Sequence, residues 1–152
     1  VRQDAMDVFR ILLNAPGTEL ESKAYNGDTA LMLACFKGNL PAVQALLEKG
    51  AEVNRPGWTP LHYAAYSGNN DIVQLLLEKS AYIDAESPNK TTPMMMAAMA
   101  GKIYTVKLLL DEGADATLRN SLGMNAIDFA VKHDHMEIAE GLTHRLRKAG
   151  KL

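Results

Sequence analysis

One short phrase occurs four times in this chain of 152 residues: Thr29-Ala-Leu-Met-Leu-Ala-Cys35, Thr59-Pro-Leu-His-Tyr-Ala-Ala65, Thr92-Pro-Met-Met-Met-Ala-Ala98 and Asn125-Ala-Ile-Asp-Phe-Ala-Val131. The starts lie 30, 33 and 33 residues apart. A fixed period near 33 specifies a stack of structural repeats, each burying its apolar face against its neighbours. The function of such a stack is read from what its exposed edge can bind.

The copy from Asn54 to Ile83 shows how one unit is built. Thr59 is a good N-cap, and Pro60 suits the first helical position, where its missing N–H is no loss. Leu61, Ala64 and Ala65 then give a short helix with a small, close-packing face. Gly68, which enters the left-handed region freely, ends it. After a turn, Asp71 to Glu78 predicts a second helix with Ile72, Val73, Leu75, Leu76 and Leu77 on a wide apolar face. Helices this short are marginal alone in water, so the unit is stable only when stacked.

The other copies repeat this grammar. Gly38, Gly68 and Gly101 each stand nine residues after the N-cap Thr, and Asp134 takes that place in the fourth copy. Asp tolerates the left-handed region better than most residues. Leu40 to Leu47 and Ile103 to Leu110 are further second helices. Gly50-Ala-Glu-Val-Asn54, Ser80-Ala-Tyr-Ile-Asp84 and Gly113-Ala-Asp-Ala-Thr117 lead out into the loops.

Phrase, period and lead-out together resemble the ankyrin repeat, in four copies over about residues 18–149. The boundaries expected are 18–53, 54–83, 84–116 and 117–149. Residues 1–17 contribute the second helix of an incomplete preceding repeat, Met6 to Leu13, which carries no polar outer face. The charged segment Leu142 to Ala149 suits a terminal cap. The resemblance implies an all-α solenoid of L-shaped units with β-hairpin-like loops and a concave, protein-binding face of loop tips and first helices. It also implies a structural hydrogen bond for the His of Thr-Pro-Leu-His.

Three departures stand out. Glu21 to Asn54 spans 33 residues but Thr29 to Thr59 only 30, so the loop Asn54-Arg-Pro-Gly-Trp58 is expected to be a stub. Lys90 stands where a loop Gly is expected, against an ideal turn there. The family His appears only as His62, with Met32, Met95 and Asp128 in the other copies.

Composition narrows the function classes. A chain with 47% hydrophobic residues is able to bury a sizeable core. Sixteen basic against eighteen acidic residues, a net charge of -2, give too little positive field for a non-specific nucleic-acid binder. No apolar run reaches the ~18 residues of a transmembrane helix, and no signal peptide is visible. Because the chain opens at Val1, a segment upstream is expected to have been removed. A likeness to small bacterial ankyrin proteins, some of them exported, makes the periplasm the expected compartment and the cytoplasm the alternative.

Each candidate for chemistry has a plainer reading. His62 has no acid or nucleophile beside it in its phrase, and Cys35 aligns with Ala65 and Ala98 at a small packed position. His133 and His135, two apart in a turn, lack a fixed third ligand and are expected to be solvated. Neither a Gly-rich phosphate loop nor a nucleophile elbow occurs. The expectation is a non-catalytic, monomeric module without cofactor or metal.

Phe36, Tyr66 and Met99 share a register that the family leaves outward-facing on the concave side. They predict a stripe of large apolar groups beside Trp58, and such stripes mark interfaces. The protein-binding residues expected are Tyr25, Phe36, Trp58, Tyr66 and Met99 as anchors, with Asn26, Asp28, Lys37, Asn89 and Ser121 as a polar rim. The alternative is an architectural segment that packs the stripe against a flanking part of a longer polypeptide.

Overall fold

A computed structural model of the protein describes residues 28–152. The expected helix at Met6 to Leu13, with Tyr25 and Asn26, lies outside the described residues. Among the described residues eight helices follow one another in four pairs: α1 (Asp28–Lys37) with α2 (Leu40–Glu48), α3 (Pro60–Ser67) with α4 (Asn70–Glu78), α5 (Pro93–Ala100) with α6 (Ile103–Asp111), and α7 (Ala126–Lys132) with α8 (Met136–Lys148). No strand occurs among the described residues, and the fold is an all-α repeat solenoid. None of these helices is long and apolar enough to cross a membrane.

Three of the four N-cap phrases act as the sequence predicts, with chemically different residues filling one role in them, whereas α1 already begins at Asp28 and so contains Thr29, the N-cap expected there. The N–H of Thr59 donates to His62 Nδ1 at 3.0 Å, that of Thr92 to Met95 Sδ at 3.4 Å, and that of Asn125 to Asp128 Oδ2 at 3.0 Å. Any acceptor of suitable reach satisfies this orphan donor at the helix start. His62 does more than its counterparts, because its Nε2 also meets the carbonyl of Thr91 in the next loop at 2.7 Å.

The glycine after each first helix has two reasons to be there. Gly38, Gly68 and Gly101 have φ of 71°, 75° and 77°, and Asp134 takes 65° in their place. A Cβ on the three glycines would also lie 3.1 Å from Asn69 Nδ2, 2.7 Å from Lys102 Cδ and 2.6 Å from His135 Cε1 respectively. Each crowding side chain belongs to the following repeat. Asp134 meets the same backbone requirement in the fourth copy.

The first helices α1, α3, α5 and α7 pack side by side more extensively than the second helices do. Leu31, Leu61, Ile72, Leu76, Met94, Met95 and Leu109 form the fully buried centre. The small register of Cys35, Ala65 and Ala98 is 0% exposed, while Val131 in the fourth copy is 50% exposed. In α8, Ile138, Ala139, Leu142 and Leu146 turn inward, leaving Glu140, Arg145, Arg147 and Lys148 exposed.

The loops between repeats differ in how they close. Asn120 to Met124 closes a tight turn with Asn120 N donating to Met124 O at 2.9 Å and Gly123 at φ 77°. Ser87 to Thr91 builds the same turn, Ser87 N donating to Thr91 O at 3.0 Å, although Lys90 must adopt φ 63°. The turn doubted at Lys90 therefore forms, held in addition by the bond from Thr91 N to Ser87 Oγ at 3.0 Å. Asn54 to Trp58, three residues shorter, contains only bends, as the spacing implies.

Candidate functional site

The two groups that invite a catalytic reading are sealed in the core. His62 is 0% exposed with both ring nitrogens engaged, and burial pulls its pKa down to about 4, against the raising effect of the backbone contacts. A neutral ring with Nε2–H fits this pattern, since Nδ1 must accept from Thr59 N. Cys35 is also 0% exposed, and burial pushes its thiol up to about 12. A thiol held there is not a nucleophile at neutral pH.

The structure sorts the expected binding residues into two groups. Phe36 and Tyr66 are half-buried and stack on each other, with centroids 5.9 Å apart and planes 5° from parallel. Each aromatic thus covers part of its neighbour. Lys37 is exposed at the end of α1, to which Asp28 contributes the first residue.

Trp58, Asn89 and Met99 converge elsewhere, on a cleft of about 200 Å³ between the loop tips and α5 and α7. Trp58 stands edge-on to the His62 ring at 5.1 Å and 70°. His62, which is itself tied to Thr91 of the next repeat, therefore helps fix the position of Trp58. Ser121 N donates to Asn89 O at 2.9 Å, joining the tips of two loops at the rim. Both of these rim residues are exposed.

Two expectations need correction. Met99 is only 6% exposed, because α7 packs alongside α5, so it forms cleft floor rather than part of an open stripe. His133, expected to be a solvated turn residue, is 4% exposed and lines the cleft. It follows Phe129 by four residues and so shares the inward face of α7. His135 is half-buried, with Nε2 on Met99 O at 3.1 Å.

Among the cleft residues that were not anticipated are Leu122, Met124, Phe129 and Lys132. The signal for three of them was present in the repeat. One further period of 33 carries Asn89 to Leu122, Met99 to Lys132 and Thr91 to Met124. Leu122 is the most telling, since a leucine 75% exposed at a loop tip leaves a large apolar group in water. Its loop is braced by Arg119, which donates to Gly123 O at 2.7 Å and pairs with Asp128 at 3.3 Å.

The cleft has Met96, Met99 and Phe129 as its buried apolar lining, and Trp58 and Leu122 as more exposed apolar members. Asn89 and Lys132 supply polar groups at its edge. An apolar concavity with a few convergent polar groups suits insertion of a side chain from another molecule. Among the described residues no group of three His, Cys, Asp or Glu could hold a metal ion.

The family described as ankyrin repeats (3 copies) matches residues 1–87 and 81–149. Transient receptor potential cation channel subfamily A member 1 of Homo sapiens is 30% identical over 119 residues, 71% of this chain and 11% of that protein. Ankyrin repeat and SAM domain-containing protein 6 of Rattus norvegicus is 34% identical over 108 residues, covering 70% and 9% of the two chains. B-cell lymphoma 3 protein of Homo sapiens is 37% identical over 119 residues, covering 74% and 26%. The chain thus spans about a tenth of the first two relatives and about a quarter of the third.

Proposed function

Because this chain belongs to the ankyrin-repeat family, whose repeats are in general non-catalytic protein–protein interaction modules, we propose that it binds a protein partner through the cleft at its loop tips. The observation that carries this reading is the convergence of Trp58, Leu122 and the buried Met99 on one apolar concavity, with Asn89 and Lys132 at its edge. The mechanism is preorganised recognition. Trp58 is already held by its contact with His62 and Leu122 by a braced turn, so little ordering entropy is lost on association. Phe36 and Tyr66, in the register of Met99, and the neighbouring Lys37 enlarge the surface toward the N-terminal end. The protein acts as a monomer presenting one such edge.

The test is partner affinity measured beside thermal stability. Leu122→Asp weakens binding by about 2 kcal/mol or more, the range of interface hot spots, while the melting temperature of so exposed a site barely moves. Trp58→Ala weakens binding as much but also lowers stability, through the lost ring contact. Unchanged affinity in Leu122→Asp overturns the proposal.

A second reading rests on another surface. A shallow groove of about 190 Å³ between α6 and α8, floored by Val106, Ile138 and Leu142, adjoins the exposed Ile103. It suits an architectural contact with a flanking part of a longer polypeptide.

A further inference from the structure

The cleft is chemically lopsided. None of the side chains that line it is a carboxylate, and its one charged group is Lys132, exposed in the last turn of α7. Among the described residues no carboxylate lies within salt-bridge reach of that ammonium. Asn89 stands on the rim. Its Oδ1 already accepts from Ser87 Oγ and its carbonyl from Ser121 N, which leaves its side-chain N–H₂ to donate. Asn120, by contrast, is spent within its own turn, accepting from Leu122 N at 3.0 Å and Met124 N at 3.1 Å and donating to Thr91 Oγ1 at 3.3 Å.

Resting on the cleft reading above, we propose that the partner segment inserts a large apolar side chain beside an aspartate or glutamate. The apolar group fills the concavity against Met99 and Phe129, between Trp58 and Leu122. The carboxylate meets Lys132, with Asn89 as a second donor. A lysine or arginine next to the inserted group would face Lys132 and find no acceptor charge on the lining, so like-charge repulsion disfavours basic segments.

Selection of displayed random peptides against the full chain tests this. The peptides recovered are expected to carry Leu, Ile, Phe or Met next to Asp or Glu, and to lose binding to Leu122→Asp. Lys132→Gln should weaken them about tenfold, and Lys132→Glu further, with the melting temperature of each variant recorded to exclude misfolding. Their binding should weaken as salt is raised and should alter the fluorescence of Trp58, the only tryptophan. Peptides that depend on Leu122 but show no acidic preference, or are indifferent to Lys132→Gln, overturn this inference and leave the cleft reading standing. Peptides insensitive to Leu122→Asp, or recovery of none at all, overturn both.

Discussion

His62 couples the stability of this stack to pH. Its ring is fully buried, and both nitrogens are committed, Nδ1 to Thr59 N and Nε2 to Thr91 O. A second proton would put a charge in the core and turn Nδ1 into a donor facing another donor. Burial accordingly lowers its pKa from 6.5 to about 4. Since the folded value lies below the unfolded one, the unfolded chain takes up the proton first. Stability from this group is full above about pH 6.5 and is lost as the pH falls toward 4. At ~1.4 kcal/mol per unit, that gap amounts to on the order of 3 kcal/mol by about pH 4. Urea unfolding of the wild type and His62→Gln, from about pH 7.5 to about 4.5, isolates the effect, because other titrating groups contribute to both curves. The variant should be less stable near neutrality yet lose roughly 2–3 kcal/mol less across the range. Parallel curves would refute the reasoning.

Three further outcomes follow from single residues. Gly101→Ala should destabilise more than Gly123→Ala in thermal melts, because both have φ of 77° but only Gly101 has His135 at 2.6 Å from the new Cβ; equal losses would reduce the close approach to irrelevance. Lys90→Gly should raise stability by up to about 1 kcal/mol by relieving a left-handed lysine, and a loss in chemical denaturation would mean its strain is already compensated. Cys35 should label slowly with a thiol reagent in the native state and quickly in denaturant; fast native labelling would contradict its burial.

The helices were legible because repetition supplies many readings of one pattern. Thr59, Pro60 and Gly68 mark the first helix of their repeat, and Gly38, Gly101 and Asp134 confirm the same position by offset. Burial at the cleft was less legible, because it depends on where neighbouring repeats and loop tips come to lie. Register alone puts Met99 with Phe36 and Tyr66. The next first helix then covers Met99, while Phe36 and Tyr66 cover each other. His133 reads as a turn residue until its four-residue spacing from Phe129 is set on the inward face of α7. Leu122 was within reach of the same offset that selected Asn89. At Lys90 propensity opposed the turn, and the surrounding hydrogen bonds of Ser87 and Thr91 outweighed it.

Leu122 and Tyr104 form a matched pair for the central claim, being 75% and 76% exposed on different parts of the stack. Leu122 is at the cleft, whereas Tyr104 belongs to the second helix α6. A photoreactive phenylalanine analogue replaces each in turn in the full chain, and crosslinking to the bound partner is measured. The account predicts an adduct from position 122 and none from position 104. Equal adducts from both, or an adduct from position 104 alone, would contradict it.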